Sequence, residues 1–374
     1  MTQTKVEAPF VENNATFRNM ITNGDMRISQ RGTSSGTIGN GNGGRYTLDR
    51  FGWFEEGDFG DAEATVSQDT DVPTGQGFAK SLKVVCTTAD TSIAANTINY
   101  MSQKFEGQML QHLAKGTSGA KSTTLSFWCK SNLTGTFTLA LKDQDNTRQF
   151  STSYSLASAN TWEKIIINVP ADTTGALDND NASSYRINWH LQAGTDKTGG
   201  ALTTAWEAQA EGDRAVGQTN FYSSTDNNWY ITGVQWEVGD AATDFEHLPH
   251  DVQFTRCCRY YWKPVQGNAS TNEYVALGDF YSSTQVDIDF RHITPMRTQP
   301  TVEQGSGTDY FKYYYGNTAN GTVDGAWTYW IGNEHISSLY ATASDAVGTS
   351  NTGKACRVLA STEASAYIAL NAEL

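Results

Sequence analysis

Aromatic side chains crowd a short stretch near the C-terminal end of the sequence. Between residues 313 and 330 stand Tyr313, Tyr315, Trp327, Tyr329 and Trp330. Because successive side chains on a β-strand point to opposite faces, some of these rings must face outward. Rigid planar rings are common on sugar-binding and protein-binding surfaces, since they lose little conformational entropy on binding. The stretch therefore predicts a glycan-binding or receptor-binding surface at these five residues. The alternative is an aromatic core with a subunit interface.

Two pairs of aspartates suggest a different chemistry. Asp143 and Asp145 lie in one polar stretch, and Asp178 and Asp180 lie in another. Paired carboxylates can act as acid and base on a glycosidic bond, or gather oxygens around calcium. Neither pair continues into the glycine and terminal glutamate of an EF-hand loop, and turn chemistry accounts for both. We expect no catalytic residue and no cofactor, although a structural calcium ion stays open.

An enzyme is nevertheless the hypothesis to weigh against a binding protein. It would use Asp178, Asp180 or Glu246, with two carboxyl groups facing each other across a cleft and shifted pKa values. A binding module would instead show exposed aromatic rings beside polar groups. This contrast in geometry distinguishes the two classes.

Charge and cysteine content exclude several other functions. The net charge is −14, so no basic stripe is available to bind nucleic acid. The sequence also contains no run of 18 apolar residues, so we expect no membrane insertion. The N-terminal residues lack a signal-peptide pattern, which predicts a protein made in the host cytoplasm that stays there or leaves by lysis inside a particle. The five cysteines lack CxxC spacing, and Cys86 and Cys129 alternate in phase with apolar neighbours, which predicts buried free thiols.

The elements that must position these residues are β-strands. The clearest is YRINWHLQAG, in which Tyr185, Ile187, Trp189 and Leu191 share one face and His190 lies on the other, predicted to be solvated. Residues 228–238 form a further alternating strand that closes the first domain. One helix is predicted over residues 101–116. The fold class is therefore all-β.

Composition divides the chain into four segments. Residues 1–16 have little periodicity and predict an extended arm, and residues 17–247 predict one large β-sandwich. Residues 248–264 predict a connector that contains aromatic residues, and residues 265–374 predict a second, smaller antiparallel β-sandwich.

Several longer motifs resemble a known family. NGDMRISQRG and YTLDRF, SFWCKSN and LALKDQDNTR, RAVGQTN, and YITGVQWEVGDAATDFEH followed by RCCRYY resemble phage tail and virion structural proteins over residues 17 to about 262. The order of strands between the NGD turn and the closing strand is also similar to galactose-binding-type jelly rolls of carbohydrate-binding modules.

The resemblance implies a jelly-roll first domain and a place in the virion, as a tail fibre, head fibre or knob that contacts host-surface glycan. It also implies self-association, with a homotrimer expected, and contacts to other virion proteins. No catalytic residue transfers with it. The alternatives are a capsid decoration or cement protein and a glycan-degrading virion enzyme.

Overall fold

The computed structural model describes residues 17–315, 319–343 and 351–374. The chain divides into two compact units, Met1–Pro249 and His250–Leu374. The predicted arm, residues 1–16, lies outside the described residues. No helix in the described part of the chain is long and apolar enough to cross a membrane.

The first unit is built almost entirely of antiparallel strands. In chain order they are β1 (Ser34–Ile38), β2 (Arg45–Tyr46), β3 (Gly52–Glu56), β4 (Glu63–Asp69), β5 (Ser81–Thr88), β6 (Ile98–Glu106), β7 (Thr123–Ser131), β8 (Gly135–Asp143), β9 (Arg148–Leu156), β10 (Glu163–Val169), β11 (Ser183–Ala193), β12 (Glu207–Ala208) and β13 (Asn228–Val238). A short helix, α1 (Thr195–Thr198), follows β11.

These strands form two sheets. Sheet A has the order β1-β4-β5-β13-β7-β10, and sheet B has the order β12-β9-β8-β11-β6-β3-β2. Neighbours along the chain are often not neighbours in a sheet, as expected for the predicted jelly-roll sandwich. The core contains the inward side chains of both sheets, including Trp189 from β11 and Trp236 from β13. Cys86 and Cys129 lie in this core as free thiols, which confirms the sequence prediction.

Strand β13 joins the start of the unit to its end. Its first half pairs with β5 on one side and β7 on the other. In its second half, the Asn19 side chain donates to the Val234 carbonyl and accepts from the Trp236 N–H. Gly24 lies so close that a Cβ there would be 2.1 Å from the Val234 carbonyl oxygen. Only glycine fits this turn, and the NGD motif therefore packs on the closing strand.

Two local predictions in this unit are wrong. The predicted helix over residues 101–116 is instead the end of β6 followed by two 3-10 turns, Gly107–Met109 and Gln111–Leu113. The left-handed backbone at Ala114 ends the second turn before an α-helix can form. His190, predicted to be solvated, is fully buried because residues 194–220 cover the polar face of sheet B.

The second unit begins with a helix, α2 (His250–Cys258), and continues in strands. They are β14 (Tyr261–Gln266), β15 (Glu273–Ser282), β16 (Gln285–Arg291), β17 (Thr301–Gln304), β18 (Phe311–Tyr315), β19 (Ala319–Gly332), β20 (Ile336–Ala343), β21 (Ala355–Ala360) and β22 (Tyr367–Asn371). Most of the predicted connector, residues 248–264, therefore contributes α2 and part of β14 to this unit.

The antiparallel, all-β character of the second unit agrees with the predicted fold class. Its main sheet, however, closes into a barrel in the order β15-β16-β20-β19-β18-β21, where the sequence indicated a sandwich. The long-range pairing of β15 with β21 closes it, and a separate small sheet has the order β14-β22-β17. Inside the barrel pack Phe280, Ile288, Phe311 and Leu339.

Candidate functional site

A shallow groove of about 440 Å³ lies on the outer face of the barrel. Strand alternation creates it: Phe280 and Ile288 point into the barrel, so their neighbours Tyr281, Asp287 and Asp289 point outward. The residues that line the groove are Leu277, Gly278, Asp279, Tyr281, Asp287, Ile288, Asp289, Trp330 and Ser338.

Two exposed aromatic rings form one part of the groove lining. Tyr281 is 59% exposed and Trp330 is 50% exposed, and their ring centroids are 5.3 Å apart in an edge-to-face arrangement. Tyr281 is on β15 and Trp330 is on β19, with β16 and β20 between them in the sheet. The two side chains must therefore reach toward each other across those strands.

A β-bulge sets the direction of Trp330. Tyr329 pairs with Leu339 and Ile331 pairs with Ser338, so Trp330 is the extra residue on β19. A bulge breaks the strict alternation of a strand and can redirect a side chain. Trp330 and Ile331 are consequently both exposed, although they are neighbours.

Three aspartates form another, acidic part of the groove lining. Asp279 and Asp287 are directly opposite each other on β15 and β16, and Asp289 is two residues further along. Asp287 is only 7% exposed, and its carboxylate accepts a hydrogen bond from the Gln285 amide at 2.8 Å. Burial raises the pKa of Asp287, and the negative charges of Asp279 and Asp289 raise it further. The residues that line the groove include no lysine, arginine or histidine.

The structure separates the five aromatic residues that the sequence singled out. Trp330 lies in the groove. Tyr313 and Trp327 are 1% and 2% exposed inside the barrel, where they pack on Phe280 and Phe311 respectively, so neither presents a ring to a ligand. Tyr315 and Tyr329 are half-buried against the same core.

Sequence reasoning missed Tyr281, which provides the second ring of the groove. The stretch GDFYS places Tyr281 next to the inward Phe280, and Tyr281 is the extra residue of a register shift against β16. The number of aromatic residues in a stretch shows how much aromatic surface is present. The direction of each side chain on its strand decides which rings are exposed.

The carboxylates of the enzyme hypothesis are either exposed or hydrogen-bonded to backbone N–H groups. Asp178 and Asp180 are exposed in one loop, where the Asp180 carboxylate accepts the N–H of Ala182. The Glu246 carboxylate accepts the N–H groups of Phe17 at 2.7 Å and Asn19 at 2.9 Å, which gives it a structural role.

The two carboxylates of the other predicted pair are likewise engaged. Asp143 forms an ion pair with Lys115 at 2.5 Å, and the Asp145 carboxylate accepts the N–H of Asp178 at 2.9 Å. Within the described ranges, no group of three or more histidine, cysteine, aspartate or glutamate side chains could hold a metal ion. The calcium hypothesis therefore has no cluster to support it there.

Comparison with known proteins finds no matching family model and no matching curated protein. Among solved structures, the enzymatically active domain of tailspike protein 4 from bacteriophage CBA120 is similar at 14% identity and a TM-score of 0.31, over 59% of this chain and 22% of that one. A CBM4 structure is similar at 13% identity and a TM-score of 0.29, over 59% of this chain and 99% of that one.

A family 11 carbohydrate-binding module of the cellulosomal cellulase Lic26A-Cel5E from Clostridium thermocellum is similar at 12% identity and a TM-score of 0.27, over 57% of this chain and 98% of that one. At these TM-scores the similarities support no argument about function. The assignment of a β-sandwich rests on the strand order of the first unit itself.

Proposed function

We propose that this chain is a non-enzymatic, saccharide-binding structural protein of a phage particle, and that the barrel groove is its saccharide site. The observation that supports it is the exposed pair of Tyr281 and Trp330, which lines the same groove as the carboxylates of Asp279, Asp287 and Asp289. Aromatic rings pack on the apolar C–H faces of a sugar, and carboxylates accept hydrogen bonds from its hydroxyl groups. The groove offers both kinds of contact, as a binding site with a few convergent polar groups does.

The place in the particle is part of the proposal and rests on the sequence motifs. A tail fibre, head fibre or knob would present the barrel to host glycan, whereas a capsid decoration protein would lie on the capsid faces. Immunogold labelling of purified particles distinguishes these locations, since label on the appendage supports the first and label confined to the capsid faces supports the second.

The binding test uses a panel of immobilised polysaccharides and the full chain. Trp330→Ala and Tyr281→Ala should each weaken binding about tenfold, which equals roughly 1.4 kcal/mol. Tyr274→Ala is the matched control, because Tyr274 is equally exposed on β15 and does not line the groove. Unchanged binding in both groove variants, or equal loss in the control, would exclude this site.

Self-association is the second candidate function of the same face. The exposed side chains of Leu277 and Ile331 extend the aromatic surface, and contiguous apolar patches are typical of subunit interfaces. Light scattering with mass determination tests it: if Trp330→Ala converts an oligomer to a monomer, the face is an interface. If the mass stays constant while polysaccharide binding falls, saccharide binding is its function.

A further inference from the structure

The outer face of sheet B contains a layer of buried polar residues that the proposed saccharide site does not use. Across neighbouring strands, Ser151 is opposite Ala140, Ala140 is opposite Asn188, and Asn188 is opposite Ser102. All four are almost completely buried although they point away from the hydrophobic core. Residues 194–220, which we call the cover, exclude solvent from them.

Specific contacts hold the cover on the sheet. The Arg214 guanidinium donates to both carboxylate oxygens of Glu56, at 2.7 and 3.0 Å. The Thr138 hydroxyl donates to the Gln218 side chain at 2.8 Å, and the Gln149 amide donates to the Ala210 carbonyl at 3.0 Å. The cover is therefore part of the folded unit, and it encloses a polar layer.

A basic cluster lies between the cover and the sheet: Lys142 and Arg186 belong to the sheet, and Arg214 belongs to the cover. Lys142 is directly opposite Arg186 in the sheet, and both arginines lie near enough to affect its titration. Lys142 is only 4% exposed, and its ammonium group forms no ion pair with a described residue. A buried ammonium group without an ion pair is costly, so Lys142 is the member of the cluster that a ligand would serve best.

Several donors in the same layer lack partners. The structure gives no hydrogen-bond acceptor among the described residues to the Nε of Arg186, the Nε of Arg214 or the side-chain amide nitrogen of Asn188. The buried ring of His190 is a separate case: its Nδ1 is 3.0 Å from the Thr138 hydroxyl, and its Nε2 has no partner among the described residues. Buried polar groups normally have partners, and this set is rich in donors.

Charge completes the description of the layer. Glu56 binds Arg214 and lies 3.5 Å from Arg186, and Glu211 binds Arg214 and Lys197. The cations Lys142, Arg186, Arg214 and Lys197 thus face two carboxylates. In a chain of net charge −14, this is a local excess of positive charge. The excess favours a negatively charged ligand.

We propose that the layer beneath the cover is a second binding site, which receives an oxyanion at Lys142, Arg186 and Arg214. Donors on guanidinium and ammonium groups match carboxylate and sulfate oxygens. Lys142 and Arg214 are almost completely buried and Arg186 is partly buried, so only a small group could enter without movement of the cover. The oxyanion could belong to an acidic sugar or be a free inorganic ion; the chemistry at the protein is the same.

Titration of Lys142 gives the site a pH dependence. Burial and the positive charges of Arg214 and Arg186 together lower the pKa of Lys142 to about 7, against the opposite effect of Glu56 and Glu211. His190 has its pKa lowered well below its usual range by burial and by the same cations, so it stays neutral. Oxyanion binding needs charged Lys142, and affinity should therefore fall about tenfold per pH unit above that pKa.

The test measures the thermal unfolding midpoint of the full chain, at constant ionic strength, with sodium sulfate, sodium glucuronate or neutral glucose. Sulfate or glucuronate should raise the midpoint by roughly 3 °C or more at saturation, and glucose should not. Stabilisation by glucuronate alone identifies an acidic sugar as the ligand type, and stabilisation by sulfate as well identifies a general oxyanion site.

Lys142→Met tests the residue that defines the site. The variant removes a buried charge that forms no ion pair with a described residue, so it should fold, show a higher midpoint without ligand, and lose the response to the anions. Lys83→Met, in β5 of sheet A, is the matched control and should keep the response. An anion response that persists in Lys142→Met, equal effects of glucose and glucuronate, or no response to either anion would overturn the proposal.

Discussion

Replacing Trp327 and Trp330 by alanine, one at a time, should separate folding of the barrel from ligand binding. The two indoles are three residues apart on β19, but Trp327 is buried against Phe311 and Trp330 lies half-exposed in the groove. The Gln304 side chain also holds the backbone of Trp327, through its amide at 2.8 Å and its oxygen at 2.7 Å.

The magnitude follows from burial. Truncating a buried tryptophan to alanine costs about 3–5 kcal/mol, so Trp327→Ala should lower the free energy of unfolding of the second unit by that amount. For a unit of this size, the loss corresponds to a fall of roughly 10–20 °C in its unfolding midpoint. Trp330→Ala removes a surface side chain and should cost about 1 kcal/mol or less.

Differential scanning calorimetry of the full chain measures both effects, with polysaccharide binding measured on the same samples. Trp327→Phe is the control: it keeps a ring in the core and removes an indole N–H that has no hydrogen-bond partner among the described residues. It should therefore cost less than Trp327→Ala. Equal midpoints for the two alanine variants would refute the assignment of one tryptophan to the core and the other to the surface.

Three further predictions concern the first unit. Lys115→Met leaves the buried Asp143 carboxylate without its cation, while Asp172 keeps Arg148, and should lower the free energy of unfolding by about 3–5 kcal/mol in urea titrations. Gly24→Ala places a methyl group against the Val234 carbonyl, so it should abolish cooperative unfolding or the yield of soluble protein, whereas a surface Gly→Ala change should not. The ion pairs with Lys197 and Arg214 lower the pKa of Glu211 to about 2 against the desolvation that opposes them. Because the folded pKa is depressed, this stabilisation is present above about pH 4.5 and lost as the pH falls toward 2. The unfolding midpoint measured against pH in Arg214→Met should therefore show a shallower acid decline.

Sequence alternation predicted the strands better than their surroundings. The inward set of β11, including Ile187 and Trp189, follows directly from parity and is confirmed. The burial of the opposite face of β11 could not be predicted, because it depends on where a distant loop packs. His190 is buried by contacts between the sheet and the cover, and no local pattern encodes them.

The candidate site was predictable in part. Parity fails at Trp330, where the bulge against β20 adds one residue, and pairing of this kind cannot be inferred from one strand alone. Closure of the barrel depends on the pairing of Glu273 with Ala360, far apart in sequence. A sandwich and a barrel would have the same composition. The strands of the second unit are therefore predictable from the sequence, but closure of the sheet into a barrel is not.

The contacts that Glu246 makes with the backbone of Phe17 and Asn19 have a consequence for biosynthesis. They join residues that are 229 and 227 positions apart, so the first unit cannot complete its fold until nearly all of its chain has left the ribosome. Such long-range pairing slows folding, since loop closure must precede the contacts that stabilise it. During translation, the segments synthesised first therefore remain unpaired, with apolar side chains exposed to solvent. A chaperone that shields nascent chains should increase the yield of folded protein.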